Sequence, residues 1–152
     1  MKKIDEKTTR KQYWLYAPIL AILLIGAGVI LHAVWRSQFS EITVSDQKLN
    51  GNTIVIDRVF LASDGFVSIH RADSEGRFIS TSSIGHTALP SGLHIDVEVA
   101  LTANVEPGAK LFAVVHRDTG QANRYEFGST TTLDPIDSVG GVPVASSFYT
   151  TR

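Results

Sequence analysis

The chain contains no cysteine. That absence excludes disulfide bonds, thiolate metal sites, thiol nucleophiles and a lipidated N-terminal cysteine. Charge is missing from another region: residues 13–35 hold no Lys, Arg, Asp or Glu. A basic excess is also lacking, because 14 Lys+Arg stand against 15 Asp+Glu across 152 residues. A nucleic-acid binder needs a basic stripe, so that class is excluded. Nucleophile elbows of the G-x-S-x-G type, glycine-rich phosphate loops and H-E-x-x-H zinc motifs are absent as well. Serine and histidine occur, yet no spacing sets them up as nucleophile and base. The sequence therefore predicts a protein that is not an enzyme and needs no cofactor.

What is present is strongly segregated. Residues 1–12 form a basic tail, with Lys2, Lys3, Lys7, Arg10 and Lys11 against Asp5 and Glu6, a balance of +3. Residues 13–35 read YWLYAPILAILLIGAGVILHAVW. As a helix these 23 residues would cover roughly 34 Å, enough for a hydrocarbon core of about 30 Å. Tyr13, Trp14 and Tyr16 cluster at one end and Trp35 at the other, where amphipathic rings anchor at the headgroup level. Pro18 falls near the start of the span, where its missing N–H costs least. The positive-inside rule places the N-terminus in the cytoplasm and residues 36–152 outside, periplasmic or extracellular. A cleaved signal peptide fits poorly, since a cut after Ala33 would put bulky Leu31 three residues before it. The segment is thus expected to remain as a signal anchor in the cell membrane. Gly26 and Gly28 are the candidate sites for close packing against another helix.

A linker at residues 36–41 leads into the outer domain, 42–152, whose balance is −4. Short alternating runs separated by turn residues predict an all-β antiparallel sandwich of about seven strands, immunoglobulin-like in count. The expected strands are Ile42–Asp46, Thr53–Leu61, Phe66–Arg71, Arg77–Ser82, Leu93–Leu101, Lys110–Arg117 and Val142–Thr150. Asn50-Gly51 predicts a type I′ hairpin turn. The second run is apolar on both faces, which predicts a central strand or a bulge near Asp57-Arg58. In the fifth run, Leu93, Ile95, Val97, Val99 and Leu101 share one face, expected to line the core; His94, Asp96, Glu98 and Ala100 share the other.

Two strand ends repeat a pattern: Ile69-His70-Arg71-Ala72-Asp73 and Val115-His116-Arg117-Asp118. Imidazoles so repeated raise a paired copper or zinc site at His70 and His116; His94, with Asp96 and Glu98 on one strand face, is a separate metal candidate, and His86 is a further surface histidine. Antiparallel neighbours would place the two strand ends at opposite ends of a sheet and keep His70 and His116 apart. The simpler expectation is no metal at all. Asp118-Thr119-Gly120-Gln121-Ala122-Asn123 lacks side-chain oxygens at its third and fifth positions and is no calcium loop. The 24 residues from Asp118 to Gly141 exceed an ordinary strand connection. Tyr125 and Phe127 are the expected contact residues of that loop.

The residues Thr43-Val44-Ser45-Asp46-Gln47, Gly65-Phe66-Val67-Ser68-Ile69-His70, Gly92 with Asp96-Val97, Leu111, Ala113, His116-Arg117-Asp118-Thr119-Gly120 and Tyr125-Glu126-Phe127 carry a resemblance. From about residue 42 to 150 the chain resembles a domain of unknown function found in exported and surface proteins of haloarchaea and some bacteria. The resemblance implies an exported immunoglobulin-like β-sandwich and assigns no catalytic or ligand residues. The N-terminal anchor and the mild charge of the outer domain depart from a halophile surface protein. Together these readings lead to a non-enzymatic, membrane-anchored interaction module. Its expected partners are the lipid bilayer and an integral membrane protein, in an assembly where it is an accessory subunit. The alternative expectation is a periplasmic metal- or small-ligand-binding domain using surface histidines.

Overall fold

The computed structural model describes residues 6–36, 38–128 and 132–152; within these, side chains are described outside 6–15, 32–36 and Ser82. The chain divides into two compact units, the second beginning at Phe39. The first contains one helix, α1, Glu6–Arg36. It begins seven residues before the apolar stretch, so Pro18 sits in the helix interior rather than near a start. Five of the seven residues Glu6–Gln12 are good helix formers, Thr8 and Thr9 being the exceptions, and an acidic residue sits at the positive end of the helix dipole. The apolar side chains described in α1 run from Tyr16 to Leu31, roughly 24 Å of helix. Among the described residues no helix is long and apolar enough to cross a membrane. The side chains of Tyr13, Trp14 and Trp35, expected as interface anchors, lie outside the described set.

Among the described residues the second unit has ten strands: β1 Glu41–Thr43, β2 Gln47–Lys48, β3 Thr53–Leu61, β4 Gly65–Ala72, β5 Phe78–Leu89, β6 Gly92–Ala100, β7 Lys110–Arg117, β8 Ser138–Val139, β9 Val142–Pro143 and β10 Ala145–Thr151. They form a three-stranded sheet in the order β1-β3-β6, a five-stranded sheet in the order β2-β10-β7-β4-β5, and the β8-β9 hairpin. Pairing is antiparallel except between β2 and β10. One core joins both large sheets: Ile54, Ile56, Val59, Leu61 and Val99 from the first, Val67, Ile69, Leu111, Ala113, Val115 and Phe148 from the second. Two sheets burying one apolar layer are the arrangement of a β-sandwich.

Two local expectations are corrected. The turn before β3 is centred on Gly51 and Asn52, because Asn50 bridges to Thr53; only Gly51 has positive φ, at 64°, so it is not a type I′ turn. Nor does it join paired strands directly, since β2 leaves the three-stranded sheet to pair with β10.

The second correction concerns β6. Val99 and Leu101 are buried as expected, but Leu93 is 53% and Ile95 66% exposed. Asp96 adopts φ 53°, and pairing lapses opposite it at Asp57, between Ile56↔Val97 and Arg58↔Ile95. A left-handed residue turns the strand over, so the inward set changes parity. On β3 the same inversion moves the buried positions from Ile54 and Ile56 to Val59 and Leu61. His94, expected on the solvent face, pairs with buried Val59 instead.

Candidate functional site: a histidine–tyrosine network under the long loop

Strand β4 is buried on both faces from Gly65 to His70. Val67 and Ile69 enter the sandwich core. The alternate residues Phe66, Ser68 and His70 therefore occupy the sheet's other face. Pairing with β7 sets Phe66 opposite His116, Ser68 opposite Val114 and His70 opposite Phe112. The two histidines are thus on one face but four residues apart along the strand direction, roughly 13 Å of backbone. Their rings nevertheless stack, with centroids 5.6 Å apart and planes 9° from parallel. Both lean over the middle row, where the small Ser68 leaves room. The expectation that antiparallel pairing separates His70 from His116 is corrected by this lean. Both side chains are 0% exposed, so neither is a surface histidine.

The hydrogen bonds define the proton positions. His70 Nδ1 lies 3.0 Å from the Ile79 carbonyl oxygen, and its Nε2 lies 2.9 Å from Ser68 Oγ. A carbonyl only accepts, so in the neutral ring Nδ1–H donates to Ile79 and the Ser68 hydroxyl donates to Nε2. His116 repeats the pattern: Nδ1–H donates to the Asp134 carbonyl at 2.7 Å, and Nε2 faces the Tyr125 hydroxyl at 3.5 Å. The Ser68 and Ser83 hydroxyls also act on the Tyr125 hydroxyl, opposing the upward push of burial on its pKa. A chain of polar groups therefore runs from Ile79 O through His70, Ser68, Tyr125 and His116 to Asp134 O.

Burial pushes the His116 pKa down to about 4, and charge repulsion from His70 and His86 acts in the same direction. The hydrogen bond to the Asp134 carbonyl and the Asp134 carboxylate oppose it. Burial lowers the pKa of His86 and raises that of Tyr125.

The cover over this network is the long connection after β7. Tyr125 and Phe127 are half-buried against it, Phe127 edge-on to His116 at 4.4 Å and Tyr125 edge-on to Phe66 at 5.2 Å. His86 stacks on Tyr125 at 4.3 Å from the exposed side. Asp134, fully buried, organises the loop. Its carboxylate accepts from the Thr119 and Glu126 backbone amides at 3.1 and 2.6 Å, and its own amide donates to Thr119 Oγ1 at 3.0 Å. Asp118 accepts from the Asn123 amide and Glu126 from the Gln121 amide. These carboxylates replace the ladder that an irregular segment lacks.

His94 is remote from this pair in the three-stranded sheet, its Nε2 2.8 Å from the Pro90 carbonyl. Among the described residues no group of three or more His, Asp or Glu side chains is placed to hold a metal ion. Gly26 and Gly28 of α1 have open space where a Cβ would point. The sequence reading missed Ser68, Ser83 and Asp134. Two signals led toward the network: the repeated His-Arg pattern, and the long loop with Tyr125 and Phe127 as its contact residues.

Fold and site together define an all-β module whose second buried layer is a stacked histidine pair covered by a loop. Residues 40–151 match the family described as Domain of unknown function (DUF7282), and the chain belongs to that family. Cell surface glycoprotein 2 of Haloarcula hispanica is 29% identical over 88 residues, and cell surface glycoprotein 1 of the same organism is 28% identical over 88 residues. Each alignment covers 58% of this chain and 9% of the relative, so the chain spans about a tenth of the length of the curated relatives it matches. No solved structure matches the chain.

Proposed function

We propose that the protein is a single-pass, membrane-anchored extracytoplasmic module without catalytic activity, an accessory subunit of a larger membrane assembly. In this reading residues 13–35 are a signal anchor, residues 1–12 are cytoplasmic, and the immunoglobulin-like sandwich lies outside. The observation that carries it is the surface of α1. Ten large apolar side chains between Tyr16 and Leu31 are 55–73% exposed, and four of them, Ile22 to Ile25, are consecutive and so face every direction. A helix apolar all round has no face to offer water and requires a bilayer or protein around it. The helix continues through the whole 13–35 stretch, whose flanking charges favour an inside N-terminus. Kinship with haloarchaeal cell surface glycoproteins supports the outward placement of the sandwich.

Partner contacts are assigned to the Gly26/Gly28 region, where helices approach closely, and to the exposed loop stretch 119–124. Two measurements test the reading. Protease added to intact cells should remove the sandwich and leave the basic tail protected, while the intact mass of the mature protein retains residues 1–35. In mild detergent, wild type should co-purify with an integral membrane partner, and Gly26→Leu with Gly28→Leu should weaken that association. A mature product beginning near Val34, or a wild-type protein migrating alone, defeats the proposal.

A further inference from the structure

Among its described residues the sandwich leaves six large apolar side chains exposed: Phe39, Leu93, Ile95, Val139, Val142 and Tyr149. Five of them sit at one end. Register places Glu41, Phe60 and Leu93 in one row across the three-stranded sheet, with Thr43, Arg58 and Ile95 in the row two residues inward. Phe39 precedes this corner directly. The β8-β9 hairpin, in which Val139 and Val142 are direct cross-strand partners, belongs to the same end. Ser40 Oγ donates to Asp137 Oδ2 at 2.6 Å and accepts from the Ala62 amide at 3.1 Å, joining the chain entry, the end of β3 and the base of that hairpin. Tyr149 is the exception, paired with Lys110 at the opposite end of β7.

From Arg36 to Ser40 the chain spans four residue steps, roughly 14 Å at full extension. The exposed apolar end is therefore the end tethered within that reach of an apolar helix. Its charges are mixed: Glu41 pairs with Arg58, Asp137 with Arg117, and Asp64 and Asp96 are also present. Such a surface has no net attraction for anionic headgroups, so apolar insertion is its means of contact. The hairpin suits that task, because Gly140 and Gly141, at φ 60° and 82°, make a tight turn that presents two valines.

We infer that this end of the sandwich docks on the bilayer, with Leu93, Ile95 and the Val139–Val142 hairpin entering the lipid interface. The inference rests on the membrane-anchored reading above. It fixes the module against the membrane rather than leaving it on a free tether.

The absence of cysteine makes the test direct. Single-cysteine variants of the full chain at Leu23, Ile95, Val142 and Tyr149 are labelled with a polarity-sensitive fluorophore. Each is reconstituted into phosphatidylcholine vesicles carrying brominated acyl chains. Labels at 95 and 142 should be blue-shifted and quenched several-fold more than the label at 149, which should remain aqueous. If 23 is quenched while 95 and 142 behave like 149, docking is wrong and the anchor stands. If 95 and 142 are shielded from water but not quenched, a protein surface covers them and the inference fails. If 23 itself escapes quenching, the anchored reading falls and the inference with it.

Discussion

The imidazoles of His70 and His116 lie parallel at 5.6 Å, each with Nδ1–H turned outward to a backbone carbonyl and Nε2 turned inward to a hydroxyl. Buried polar groups in contact are tolerated when each has a partner, and no buried side-chain nitrogen or oxygen among the described residues lacks one. Burial holds His116 in its neutral form. A second proton on His116 would place a charge beside the His70 imidazole in a site closed to bulk solvent.

This gives a pH dependence of definite sign. The His116 pKa is about 4 in the folded protein against an ordinary 6.5. A group depressed on folding contributes stability that is fully present above the unfolded value. That stability is lost as pH falls from about 6.5 toward 4, where the unfolded chain takes the proton first. The window of about 2.5 pH units corresponds to a loss on the order of 3 kcal/mol. Thermal midpoints measured from pH 7.5 to 4 should fall more steeply for wild type than for His116→Asn. Parallel profiles would show that His116 is not held neutral by burial.

Ser68→Ala removes the hydroxyl that donates to His70 Nε2 and reaches Tyr125. Loss of one partner in a buried network should destabilise the protein by about 1–3 kcal/mol. Ser68→Val, which fills the row between the rings, should cost at least as much through overpacking. Denaturant unfolding with a β-sheet signal measures both, and neutral outcomes would mean that the network carries no stability.

Asp134→Ala deletes the acceptor for the Thr119 and Glu126 amides. Hydrogen exchange should then quicken across residues 118–128, while amides of β3 and β6 keep their protection. Uniform loss across both sheets would instead make the loop part of the global folding unit.

The inversion at Asp96 is testable with two substitutions on one strand. Val99→Asp introduces a charge at a position with 0% exposure, and Ile95→Asp at one with 66%. The first should cost more than about 4 kcal/mol, the second no more than about 0.5 kcal/mol in detergent solution. Equal costs would restore the uninterrupted alternation that the sequence implies.

Much of this molecule was legible in residue order. The span Thr53–Leu61 follows from its apolar content and coincides with β3; the turn residues Asp64-Gly65 and Pro90-Ser91-Gly92 mark strand starts near those observed. Such features are local, since a turn or a strand period depends on residues a few positions apart. Leu93 to Leu101 shows where local reasoning stops. Its period of two is unbroken, yet one backbone angle at Asp96 sends the first two apolar residues outward. The pattern of β6 alone does not encode that angle; the signal lay in β3, whose apolar residues on both faces pointed to a central strand or a bulge near Asp57-Arg58, and pairing lapses at Asp57 opposite Asp96. The histidine pair shows the same limit. Sequence supplied the repeated His-Arg at two strand ends and the surplus loop. Only tertiary structure decided that the rings meet, because the meeting needs the β4–β7 register, a serine in the row between them, and Asp134 folding the loop back from eighteen residues away. Composition and local periodicity determined which elements form. Long-range register and burial, which no single segment specifies, determined which side chains share a buried site.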